Sequence, residues 1–209
     1  MKKLLAGMLA TMMLLSLGTV ALADDETVVP ESEAVRVYTP GTAPAQSDIS
    51  SVTPALHGVL LAMDNQGMTY FAADRDSVSW EMLYNLLSMY GQMDDRAYYE
   101  DEMLVLPGET VMDYSSALFA APLSPDTMPE ELSDRMRYEA ESDEYRLYCG
   151  SDDLSQVFID EIVPSEDGIL LSGRLVYMAE DELLSAFTAE LIRVDNMFGY
   201  RLARMEVAS

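Results

Sequence analysis

After its third residue the chain has no lysine. Lys2 and Lys3 are the only two, so the remainder offers no Schiff-base lysine and no phosphate-loop lysine. His57 is the only histidine, which excludes a multi-histidine zinc or iron site within one chain. Cys149 is the only cysteine, so no internal disulfide can form. The patterns G-x-G-x-x-G, G-x-S-x-G, H-E-x-x-H and N-x-[ST] are absent, as is any internal repeat. A stable fold must therefore come from apolar burial alone.

What the chain has in excess is acid. Past Lys3 ten arginines face 37 aspartates and glutamates, a net charge of −27. Such a charge keeps a protein soluble and repels anions. It excludes nucleic acid and anionic membrane surfaces, which call for basic patches. Cations, basic partners and neutral ligands remain.

The first 54 residues read as export and spacing. Lys2-Lys3 precedes an uncharged run from Leu4 to Ala23, which ends Ala21-Leu22-Ala23 before Asp24-Asp25-Glu26. A basic start, an apolar centre and a small-residue cleavage site make residues 1–23 a secretory signal peptide. Cleavage after Ala23 leaves 186 residues. Uncleaved, the same run is long enough to anchor the chain in a membrane. Residues 24–54 hold Pro30, Pro40, Pro44 and Pro54 among serines and threonines. That composition cannot offset the entropy of ordering and reads as a tether. The localisation expected is secreted or periplasmic.

Residues 55–209 form one expected domain. Gly58–Met63 and Met68–Ala72 flank Asp64-Asn65-Gln66-Gly67, a turn signal that predicts a hairpin. Ser79–Tyr90 is the clearest helix. Trp80, Leu83, Leu87 and Tyr90 make a stripe that Met82, Tyr84, Leu86 and Met89 widen, so most sides should be buried. Asp94 to Glu102 reads as a polar connector and Met103–Leu106 as a short extended piece. A second helix is expected over Glu109–Ala120 and a short third from Pro129 to Tyr138. Five strands should follow: Tyr145–Cys149, Gln156–Val163, Ile169–Met178, Leu183–Val194 and Tyr200–Val207. Turns this short between them require antiparallel pairing. Ile169, Leu171, Leu175 and Tyr177 alternate with Ser172 and Arg174, while Phe187, Ala189 and Leu191 alternate with Thr188 and Glu190. One face is thus covered and the other wet. The last strand changes phase after Leu202, which calls for a bulge or burial on both sides.

Together these elements predict an α+β class, with an antiparallel meander of about five strands and two or three helices packed on one face. The layout is similar to the cone-shaped nuclear-transport-factor-2-like and cystatin-like architectures, although no motif carries the likeness.

Three groups of residues offer chemistry. Cys149 and His57 are the only thiol and imidazole, but Cys149 sits in an alternating stretch and is expected to be a core thiol. Asp74-Arg75-Asp76-Ser77 and Gly150-Ser151-Asp152-Asp153 are rich in oxygen, yet neither has the spacing of a calcium loop, so no metal site is expected. The chain has twelve tyrosines against five phenylalanines and one tryptophan. A tyrosine buries its ring while its hydroxyl needs a partner, which suits pockets. Tyr84, Tyr90, Tyr177 and Tyr200 are the candidate ligand-binding residues. The sequence points to a secreted, acidic, non-catalytic binding domain of the cell envelope or extracellular space, without a cofactor. Its partner would be an envelope protein on the wet sheet face or a small neutral or cationic ligand. The alternatives are a small cavity enzyme using a pocket carboxylate and tyrosines, and a displayed structural or accessory protein.

Overall fold

The computed structural model describes residues 49–72, 79–119, 123–151 and 153–208. The expected signal segment, nearly all of the expected tether, the Asp74–Ser77 loop and Asp152 lie outside the described residues. The class is α+β. Among the described residues three helices, α1 (Thr53–Asn65), α2 (Ser79–Tyr90) and α3 (Gly108–Leu118), accompany two antiparallel sheets.

The larger sheet holds β1 (Tyr70–Ala72), β6 (Ser155–Pro164), β7 (Gly168–Tyr177), β8 (Glu182–Arg193) and β9 (Tyr200–Ala208) in the order β1-β9-β8-β7-β6. The smaller holds β2 (Tyr98–Glu100), β3 (Met103–Pro107), β4 (Met136–Glu139) and β5 (Glu144–Leu147) in the order β2-β3-β5-β4. The meander β6–β9 forms as its alternation requires, with Ile169, Leu171, Leu175, Phe187, Ala189 and Leu191 all buried. In β9 a register shift falls opposite Glu190 and Leu191, where Ala203 is the extra residue. This bulge resets the phase, so Tyr200, Leu202 and Met205 all reach the core.

The meander's expected first strand belongs elsewhere. Glu144–Leu147 pairs with β3 and β4 in the smaller sheet, and the fifth strand of the larger sheet is β1, paired with β9. The expected third helix is only a 3₁₀ turn, Glu130–Leu132, followed by β4. Pairing with β5 and burial of Met136 outweigh the helix-start signal at Pro129. The expected polar connector is half a hairpin. β2 and β3 are joined by Asp101-Glu102, both at positive φ, a two-residue turn without the usual glycine.

The predicted N-terminal hairpin is a helix, α1. Asp64–Gly67 is its cap, not a hairpin turn: Gly67 has φ +61°, its N–H bonds to the Asp64 carbonyl, and the Met68 N–H bonds to the Met63 carbonyl. This double bond pattern around a left-handed glycine is the Schellman ending. Ile49 and Val52, at the end of the expected tether, are buried in the core.

Gly58 explains how closely α1 and α2 pack. A Cβ there would lie 2.7 Å from the Leu86 backbone nitrogen. Alanine is the better helix former by up to about 1 kcal/mol. Overpacking costs about 1–3 kcal/mol and should win. We expect Gly58→Ala to lower the urea midpoint, and an unchanged or raised midpoint would refute the close approach.

After α2 the chain is tied down by charge. The Arg96 guanidinium donates to both Asp94 oxygens at 2.9 and 3.0 Å and to Asp113 of α3 at 2.6 Å. Hydrogen bonding from Arg96 holds the Asp94 carboxyl below its ordinary range. A depressed carboxyl contributes stability above its unfolded-state pKa and loses it as the pH falls through the folded value. Wild-type stability should therefore decline in acid more steeply than that of Asp94→Asn. Parallel declines in urea titrations across the acid range would contradict this.

Candidate functional site

The four candidate tyrosines occupy different places, and among the described residues they do not share a pocket. Tyr84 is buried on α2. Its hydroxyl donates to the Tyr148 carbonyl at 3.3 Å and the Arg135 guanidinium lies 4.8 Å above its ring. Burial raises its phenol and Arg135 opposes that rise. Tyr200 is buried on β9 and accepts a hydrogen bond from Arg193 at 3.0 Å. Tyr177 ends β7 half-buried, in register with Ser155. Tyr90 lines a pocket of about 450 Å³ with Thr53, His57, Asp153, Ser155 and Met178.

That pocket contains the buried histidine. His57 Nδ1 lies 2.6 Å from the Tyr90 hydroxyl, and Nε2 lies 2.7 Å from Ser155 Oγ. The residue is 2% exposed and Ser155 is 5% exposed. The imidazole thus joins α1, α2 and β6. A histidine beside a serine hydroxyl is the contact that nucleophile activation uses, but Nδ1 here meets the Tyr90 hydroxyl where Ser-His-Asp hydrolases place a carboxylate that orients the ring. Cys149 is not its partner. The strand ends at Leu147, the alternation lapses, and Cys149 is exposed with the Tyr99 hydroxyl 3.2 Å from its sulfur. The expected core thiol is therefore corrected to a surface one.

Among the described residues no group of three or more His, Cys, Asp or Glu is placed to hold a metal ion. No described helix is long and apolar enough to cross a membrane.

A further concave feature is on the uncovered face of the larger sheet. Cross-strand register puts Tyr70, Glu206, Thr188, Ser172 and Glu161 in one row across all five strands. To one side lies the row Phe158, Arg174, Ala186 and Ala208, and to the other Val163, Leu170, Glu190 and Arg204. Ser172 and Thr188 are short, so the middle of the row is low. Two connected cavities of about 290 and 620 Å³ result, sharing Ser172, Thr188 and Glu206.

The charges on this face are unevenly matched. Arg174 binds Asp160 through Nε and Nη2 at 3.0–3.2 Å, and Arg204 Nη2 lies 3.4 Å from Glu190. Glu161 and Glu206 join none of the ion pairs among the described residues. Apolar surface flanks them: Leu170 and Val163 are each 42% exposed and Tyr70 40%. Alternation in the sequence already placed Ser172, Arg174, Thr188 and Glu190 on the wet face. Tyr70 carried no such signal, because its three-residue strand pairs with the far end of the chain.

No family model, curated protein or solved structure matches this chain.

His57 sets one test of how the helices are held. In His57→Leu the Tyr90 and Ser155 hydroxyls lose the ring while staying largely enclosed. We expect a loss of about 2–4 kcal/mol from two forfeited hydrogen bonds and their desolvation. Urea unfolding within 0.5 kcal/mol of wild type, an approximate threshold for a neutral surface change, would show that the ring is not a structural tie.

Proposed function

We propose that this chain is a non-catalytic binding module of an extracytoplasmic space, and that the uncovered face of its five-stranded sheet takes a cationic partner. The observation that carries this reading is the row across that face. Two carboxylates outside the ion pairs, Glu161 and Glu206, flank a low centre of Ser172 and Thr188. Around them the cavity lining offers four carboxylates, Asp160, Glu161, Glu190 and Glu206, against two guanidiniums that are already engaged. A local excess of acid inside a concave, partly apolar site favours a desolvated cation more than the same charge spread over open surface.

The catalytic alternative has less support. Ser155 and His57 are nearly enclosed, and Nδ1 of the ring lies against the Tyr90 hydroxyl. The two described carboxyls with displaced pKa values, Asp94 and Glu144, are both shifted down, away from what a general acid needs.

Charge reversal separates a local site from the protein's overall charge. Glu161→Lys/Glu206→Lys should weaken binding of oligo-arginine by at least about ten-fold, with an effect that shrinks as salt rises. Glu130→Lys/Glu131→Lys changes the net charge equally at two exposed positions off the sheet. It should leave binding near wild type. Equal losses in the two double variants would mean that net charge, and not this face, attracts the probe.

A further inference from the structure

Building on that reading, we infer that the groove accommodates an extended segment of a partner protein, with cationic side chains four residues apart and a small residue midway. The spacing of two glutamates matches such a segment. Glu206 is on β9 and Glu161 on β6, with Thr188 of β8 and Ser172 of β7 between them in register. Three interstrand steps separate the two carboxylates, about 14 Å. In an extended peptide, residues i and i+4 point to the same side and are about 13–14 Å apart. A strand-like segment laid across the sheet therefore places two arginines or lysines over the two glutamates at once.

The centre of the row fixes the residue between. At i+2 the segment also faces the sheet, over Ser172 and Thr188. A large side chain fills the low centre and lifts the segment off it, whereas a serine, glycine or alanine lets it settle. The two hydroxyls can bond to the segment's backbone or to a serine there. At one end Tyr70 stands beside Glu206, so a guanidinium over Glu206 can also stack on its ring. Along the sides the apolar atoms of Leu170, Val163 and Phe158 meet the stems of the long cationic side chains and the flanking residues.

The occupant is not a second copy of this chain. No two of its arginines are four residues apart, and its lysines are only Lys2 and Lys3. A linear polyamine would match the charges but would make little use of the apolar shoulders or the two central hydroxyls. A basic peptide segment uses all of them.

The test compares short fluorescent peptides of identical composition against the full chain by anisotropy at low salt. One carries arginines at i and i+4 with serine at i+2, and the other carries them at i and i+3, which turns the charges to opposite sides. The i, i+4 peptide should bind about ten-fold more tightly, and Glu161→Gln/Glu206→Gln should remove that preference. Both glutamates are exposed, so the variant should keep the fold. Replacing the central serine by tryptophan should weaken the i, i+4 peptide. Equal affinity for the two spacings, lost in the Gln variant, would overturn the segment geometry while leaving a cationic site on this face. Binding that ignores both glutamates would overturn the site as well. If spermine displaces the peptide at concentrations below the peptide's own Kd, the occupant is a small polyamine and the peptide inference fails.

Discussion

The fold depends on one helix that has no outside. Trp80, Met82, Leu83, Tyr84, Leu86, Leu87 and Met89 point around most of the circumference of α2, and all are buried. A single sheet can cover only one side of such a helix. The remaining sides need other elements, and the chain supplies them. Leu86 packs on α1 so closely that only a glycine fits opposite. Trp80 tilts against Tyr145 of β5, and its indole N–H donates to Thr127. Glu81 takes both guanidinium arms of Arg135, and the Ser88 carbonyl accepts the Gly150 N–H. The smaller sheet is thus the answer to the far side of α2.

That demand was visible in the sequence, but its solution was not. The stripe of Ser79–Tyr90 announced burial on most sides, and the alternation in β7 and β8 announced one covered face. The phase change after Leu202 called for a bulge or burial on both sides, and the bulge is what forms. Each of these signals is local. The misread elements turned on signals with two meanings. Asp64-Asn65-Gln66-Gly67 suits a hairpin turn as well as a helix cap, and only α1's packing against α2 decides between them. Asp101-Glu102 makes a turn in which both residues are left-handed, a geometry usually marked by Asn-Gly and here marked by nothing. Met136–Glu139 follows a proline and acids that suit a helix start, but its partner in β5 makes it a strand.

The site was legible in proportion to its locality. Composition gave the excess of acid, and alternation placed Ser172 and Thr188 on the wet face. The row that joins them to Glu206, Glu161 and Tyr70 is a property of register across five strands. Register is set in this sheet by three bulges, at Asp160, Leu184 and Ala203, as much as by the pattern of side chains. A slip of one residue in β9 would exchange Glu206 for Met205 and close the groove with an apolar side chain. The four tyrosines lie apart for the complementary reason. Ring burial and a satisfied hydroxyl are met as well by Tyr148's carbonyl or Arg193 as by a ligand, so residue type alone could not gather them.

The same bulges bear on where a partner can bind. Among the described strands β6, ten residues long, is an edge of the larger sheet, and an edge invites another strand to pair with it. Here the edge is interrupted at Asp160, where the register shifts, and it ends at Pro164, which has no N–H to offer. Asp160 and Glu161 also place two acids at its middle. The opposite edge is covered in part by β1. Edge-to-edge addition is therefore disfavoured on β6, and the kink that disfavours it is also what brings Glu161 into line with Ser172. One irregularity both protects the edge and completes the row on the face.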